Sequence, residues 1–144
     1  MTIINRKAKF NYQLFEHIEA GVSLLGREAK AIRNQRGDLS NSYAKIINGE
    51  AFLLNANIPA DTGGNYDVRR TRKLLLHKSE ITSILSKIKA KKLTLVPIKL
   101  YTKGRLVKVD LALAKAKRKF EKKEAIKKKD VEREMEKELK NVKI

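Results

Sequence analysis

Apolar and polar residues alternate in short runs along most of this chain, the period of two that a half-buried β-strand requires. Phe10, Tyr12 and Leu14 begin the first run and Ile18, Val22 and Leu24 continue it, which predicts a strand over 10–25 with a bend or bulge at Ala20-Gly21. In "GREAKAIRNQRG", opened by Gly26 and closed by Gly37, Ala29, Ile32 and Arg33 fall on one face of a short helix. "SYAKIINGEAFLLNANIP" holds the clearest local signal: Asn48-Gly49 between two alternating runs calls for a two-residue hairpin. "ADTGGNYDVRRTR" has the residues of an exposed, mobile loop. Ile81, Ile84, Leu85 and Ile88 stand at helical spacing, with Ser79 as N-cap. "LTLVPIKLYTKGRLVKVDLALA" reads as a second hairpin turning at Lys103-Gly104, with Pro97 at a bulge or an unpaired edge position because it has no amide to donate. Short strands joined by hairpin turns, with two helices inserted, predict a mainly β fold with some helix, a small antiparallel barrel.

The pattern breaks at residue 115. Over 115–144 the chain carries 13 Lys or Arg against 7 Asp or Glu, so this segment holds +6 and the body +12 of a net charge of +18. Val131, Met135, Leu139 and Val142 form a helical stripe, while "KRKFEKKEAIKKK" before it has too few apolar groups to bury. The expected division is therefore a barrel over 1–114 and a basic tail over 115–144 that is disordered when free. A coiled coil is disfavoured because the stripe covers too few turns.

A charge of this size concentrates polyanions, and nucleic acid is the leading partner class. An anionic membrane surface is disfavoured: the chain has no Trp, no signal-peptide pattern and no apolar run near the ~18 residues a span needs. The expected compartment is cytoplasmic. With no Cys, thiolate chemistry and Cys-based zinc sites are excluded, and His17 and His77 are too isolated to suggest a metal. No cofactor motif, P-loop or catalytic constellation is present, so no enzymatic activity is expected. Glu19 and Glu28 are the acidic residues with the most specified surroundings, for which pairing with nearby Lys or Arg is the plainer account. His77, after three leucines, reads first as a packed or capping residue. "NRKAK" and "RRTRK" adjoin aromatic or apolar strand residues, which suits phosphate contacts combined with base stacking.

Taken in order, "NRKAKFNY", "EAGVSLLGREAKAIR", "SYAKIINGEAFLLNANI", "RRTRKLLLHKSEI", "LTLVPIKLY" and "VKVDLALAKAKRKFEKKEAIKKKD" resemble the bacterial SsrA-binding (SmpB) family from about Asn5 to about Glu138. The resemblance implies an oligonucleotide-binding (OB) type barrel with external helices and a non-enzymatic role in trans-translation, the rescue of ribosomes stalled on messages without a stop codon. The implied partners are transfer-messenger RNA and the ribosome at the small-subunit decoding site, with elongation factor Tu and alanyl-tRNA synthetase engaged through the RNA.

Residue by residue, Glu19, Leu75 and His77 match positions that hold the tRNA-like domain of that RNA, and Phe10 stands where relatives often carry His. Lys7, Lys9, Arg70, Arg72, Lys73, Lys108, Lys115, Lys117 and Arg118 match the family's basic surface. Glu28, Lys30 and Arg33 match its "G-x-E-x-K-x-x-R" helix. In the tail, Glu121-Lys122-Lys123 replaces the usual Asp-Lys-Arg; Ile126 and Lys127 follow, and Val131, Met135 and Leu139 would line a helix formed on the ribosome. Ala116 stands where the family usually has Gly, and the 60–68 loop is short. The alternative is a general ribosome-associated basic RNA-binding protein without RNA selectivity.

Overall fold

The computed structural model describes residues 2–60 and 65–118. Strands β1 (Thr2–Ile4), β2 (Tyr12–Val22), β3 (Tyr43–Ile47), β4 (Glu50–Leu54), β5 (Arg72–Leu75), β6 (Thr94–Lys103) and β7 (Leu106–Ala116) make one antiparallel sheet in the order β1-β6-β3-β4-β5-β2-β7. A further β6–β7 pairing turns that sheet into a closed ring with β1 added along β6. Closure removes the free edges that an open sheet would expose. The ring's weakest seam is β3–β6, which shares the one register pair Ala44–Leu95. This is the small antiparallel barrel that the residue pattern predicts and the OB-like form with external helices that the family resemblance implies.

Its interior is filled by alternate residues of the strands, including Leu53, Leu74, Leu95, Leu100, Val109, Leu111 and Leu113, all buried. Strands β6 and β7 are also buried on their outer face, where Val96, Ile98, Ala112 and Ala114 pack against Ala8. Ala8 belongs to α1 (Arg6–Asn11), a helix that replaces the expected strand start, so Phe10 and Tyr12 do not share one strand face. Asn5 caps it, accepting from the Ala8 amide at 3.2 Å and donating to the Pro97 carbonyl at 2.9 Å. Only Ala8 is buried in a helix otherwise read as the basic string "NRKAK".

The Asn48-Gly49 hairpin forms as expected, with φ of 50° and 77°, the left-handed pair a type I′ turn needs. In the second hairpin Lys103 pairs with Leu106, so Gly104-Arg105 is the turn, one residue later than predicted, with Gly104 at φ 62°. The β6 register shifts between Pro97 and Lys99, placing a bulge at the proline as expected. In β2 the irregularity lies between Leu14 and His17, not at Ala20-Gly21. Lys115 pairs with Gln13 and β7 ends at Ala116, so the barrel runs past residue 114.

Two further helices are α2 (Gly26–Arg33), which buries Ala31 and Ile32, and α3 (Lys78–Lys91), which buries Ile81 and Ile84. Ser79 is not the cap of α3. His77 takes that place, and its amide donates to the Glu80 carboxylate at 3.0 Å, a contact possible because Glu80 lies three residues on.

Helix α2 is tied to β5 by a buried polar cluster. The Glu28 carboxylate, 0% exposed, accepts from the Leu25 amide at 2.8 Å, from Arg72 Nε and Nη2 at 2.9 and 2.6 Å, and from Arg70 Nε at 3.0 Å, with Arg70 Nη2 completing a forked pair. The Tyr66 hydroxyl lies 2.8 Å from both Glu28 Oε2 and the Ile58 carbonyl, and accepts from Arg72 at 3.1 Å. Arg72 also donates to the carbonyls of Ala56, Val68 and Arg70. Two sequence expectations are corrected here. Arg72 is 0% exposed and its guanidinium is committed to Glu28 and backbone carbonyls, so it belongs to the core and not to the basic surface. The "ADTGGNYDVRRTR" stretch is likewise no free loop at its C-terminal end, because Tyr66 and Arg70 are anchored in this cluster.

Burial by itself raises the Glu28 pKa, but the hydrogen bonds from Arg70, Leu25, Tyr66 and Arg72 outweigh it and hold the carboxyl at about 2. The folded value lies below the unfolded one, so this group's stabilisation is complete above the unfolded pKa and is lost as pH falls through about 2. Urea melts should therefore show wild type more stable than Glu28→Gln by roughly 3 kcal/mol at pH 7, a gap that narrows between pH 4.5 and pH 2. An unchanged gap across that range would mean the carboxylate charge is not what the cluster needs.

Candidate nucleic-acid interface

Barrel closure brings distant residues into one row. Across the sheet Tyr101 pairs with Lys108, Lys108 with Gly21, and Gly21 with Leu75. A cleft of about 710 Å³ opens there, and Glu19, Gly21, Lys73, Leu75, His77 and Lys108 all line it. Five of these, Gly21 excepted, were singled out from the sequence, although they lie on β2, β5, the start of α3 and β7. Their convergence depends on strand alternation: Arg72 and Leu74 are buried, so Lys73 and Leu75 face outward, and Leu75 is 55% exposed despite its apolar side chain. Gly21 matters because an added Cβ would lie 3.3 Å from Leu75 Cβ. A larger residue would push on the exposed leucine.

Glu19 is held from the opposite side of the cleft. Its carboxylate accepts from the Tyr101 hydroxyl, and Lys103 Nζ lies 3.5 Å from Oε1. The Tyr101 hydrogen bond, aided by Lys103 and Lys108, keeps the Glu19 carboxyl below the usual carboxylate range. Burial, together with the hydrogen bond and charge of Glu19, pushes the Tyr101 hydroxyl up to about 12. The pair thus remains a neutral phenol and an ionised carboxylate. Lys73 reaches Glu50 at 3.3 Å, leaving both half exposed.

The cleft combines lysines, a carboxylate and apolar or flat groups. Lysines on the rim suit phosphates, and Leu75 and His77 offer flat or apolar contacts for a base. A carboxylate repels phosphate but accepts hydrogen bonds from the amino and imino groups of a base edge. Glu19 therefore places a hydrogen-bond acceptor among the lysines of the cleft. Tyr101 and Lys103, which orient it, were missed from sequence; the hairpin register that sets Tyr101 opposite Lys108 is the signal that would have found Tyr101.

A second basic group lies at the far end of β2. Lys7, Lys9 and the exposed Phe10 are on α1, while Lys115, Lys117 and Arg118 end the described chain. The Lys117 amide donates to the Asn11 carbonyl at 2.8 Å and its Nζ to the Lys9 carbonyl at 3.2 Å. From Tyr12 to Gly21, β2 separates this group from the cleft by roughly 25–30 Å at the ordinary rise per strand residue. Arg70 belongs to neither group, since it is forked onto Glu28 with about a third of its side chain exposed. Glu121, Lys122, Lys123, Ile126, Lys127, Val131, Met135 and Leu139 lie outside the described residues.

Among the described residues no His, Asp and Glu cluster suited to a metal occurs, and no helix is long and apolar enough to cross a membrane. The family model described as "SmpB protein" matches residues 2–141. The SsrA-binding protein of Mesoplasma florum is 46% identical over 134 residues, covering 90% of each chain. That of Enterococcus faecalis is 46% identical over 140 residues, covering 95% of this chain and 91% of its own. A solved structure described as "tmRNA-SmpB: a journey to the center of the bacterial ribosome" superposes with a TM-score of 0.68 at 42% identity, covering 87% of this chain and 94% of that one. By the extent of these matches, this chain belongs to the SsrA-binding protein (SmpB) family.

Proposed function

We propose that this protein binds the tRNA-like domain of transfer-messenger RNA through the Glu19–Leu75–His77 cleft and delivers it to ribosomes stalled on messages without a stop codon, acting as a binding protein and not an enzyme. The observation that carries this reading is the separation of two basic surfaces along β2. One surface holds a structured RNA while the other, at the root of the segment beginning near Lys115, faces a different partner. The 115–144 segment then occupies the empty decoding site and message channel, drawn in by its charge and ordered by contact with ribosomal RNA. Elongation factor Tu and alanyl-tRNA synthetase enter this scheme through the RNA.

The alternative of a general basic RNA binder is disfavoured by Glu19. A carboxylate kept charged amid lysines weakens indiscriminate attraction to phosphate and suits a base edge that can donate to it.

Two outcomes follow. Glu19→Lys and His77→Ala should each weaken binding of the isolated tRNA-like domain by about 10-fold or more, measured by filter binding, on the scale of one lost base contact. An unchanged affinity in both would remove the cleft from RNA recognition. Ending the chain at Arg118 should leave that affinity within about 3-fold while abolishing peptide tagging on stalled ribosomes, because few of the phosphate contacts made by the barrel are lost. Loss of RNA affinity on truncation would contradict the division into a holding barrel and a reaching tail.

A further inference from the structure

The weak seam between β3 and β6 coincides with a second cleft, distinct from the one lined by Glu19, Leu75 and His77. It measures about 340 Å³ and is lined by Lys7, Asn11, Tyr12, Asn41, Tyr43 and Val96, among others. Its volume is near the lower end for sites that take a small molecule. Beside the single Ala44–Leu95 pair the two strands part, and α1 forms the opposite wall.

The lining has a definite chemistry. Tyr43 is 49% exposed and its hydroxyl makes no hydrogen bond among the described residues, while Tyr12, which also lines the cleft, is half-buried. The side-chain amides of Asn11 and Asn41 each present donors and an acceptor. Lys7 supplies positive charge, and no carboxylate lines the site, unlike the first cleft with Glu19, Glu50 and Glu80. Asn41 is held in a left-handed conformation at φ 64°, and its carbonyl accepts from Asn55 Nδ2 at 3.0 Å, so the turn that positions it is fixed before any ligand arrives. Aromatic faces for stacking, amides for a base edge and a lysine for phosphate are together what an unstacked nucleotide requires.

We propose that this cleft binds one unpaired nucleotide of an RNA, stacked on Tyr43 and read by the amides of Asn11 and Asn41. The site adjoins the point where Lys117 hydrogen-bonds to the Asn11 carbonyl, so the bound nucleotide lies at the root of the 115–144 segment. The inference deepens the RNA-binding reading above and rests on it. The nucleotide belongs either to transfer-messenger RNA or to ribosomal RNA, which share this chemistry.

The test uses the full-length protein and a short single-stranded RNA carrying 2-aminopurine, whose fluorescence is quenched on stacking. Wild type and Tyr43→Phe should quench the probe, and Tyr43→Ala should lose about 10-fold in affinity along with the quenching, its thermal melt verifying the fold. Ser83→Ala, at an exposed position of α3 outside both clefts, should leave the quenching intact. Ultraviolet crosslinking of the full chain to transfer-messenger RNA and, separately, to small subunits should then yield a crosslinked Tyr43 peptide with one of them, identifying the source. Quenching undiminished in Tyr43→Ala, or a Tyr43 peptide crosslinked to neither RNA, overturns the site. If that occurs while Glu19→Lys still weakens binding of the tRNA-like domain, the pocket alone has failed and the reading of the first cleft stands.

Discussion

Glu28 and Arg72 are both sealed from solvent, and either charge alone at that depth would cost several kcal/mol of desolvation. Together, with Arg70, Tyr66 and the surrounding carbonyls satisfying their remaining hydrogen-bonding groups, they fasten α2 to the first residue of β5. A strand alternates faces, so fixing Arg72 inward forces Lys73 and Leu75 outward, and His77 follows as the cap of α3. A slip of one residue would bury Lys73 and withdraw Leu75 from the surface. The cleft that carries the RNA-binding proposal is in this sense a consequence of one buried ion pair, and the arginine expected on the basic surface supports it from underneath.

Barrel closure supplies the second constraint. Glu19 and Lys108 are brought beside Leu75 because β2 pairs with both β5 and β7, and Tyr101 reaches Glu19 because β6 pairs with β7. The same long β2 holds the two basic groups apart. The proposed division between a cleft that holds one RNA and a second working surface rests on the length of that strand.

Much of this was legible in the chain. Asn48-Gly49 announced its hairpin because only residues tolerant of left-handed backbone fit there, and Pro97 announced a bulge because it has no amide to donate. The cleft residues Glu19, Leu75 and His77 were named through family resemblance; their periodicity alone left them ambiguous between pairing, packing and binding. What stayed hidden had physical reasons. Helix α1 shows one buried residue, Ala8, amid charges, too faint a periodicity to separate from a basic string. The inward turn of Arg72 could not be read without knowing that Glu28, distant in sequence, meets it as a buried partner on α2. Gly21 looked like a bulge, yet the register runs smoothly through it and its small size serves the approach of Leu75.

The central claim is that selectivity for a tRNA-like RNA resides in the barrel and not in net charge. Its most direct measurement is a competition titration at ~150 mM salt, where diffuse phosphate attraction is screened. Full-length protein and a chain ending at Arg118 would be bound to the tRNA-like domain of transfer-messenger RNA against excess bulk tRNA. Tight, competition-resistant binding by both chains is the predicted result. Displacement of both by bulk tRNA would show that the charge alone governs binding and would contradict the account.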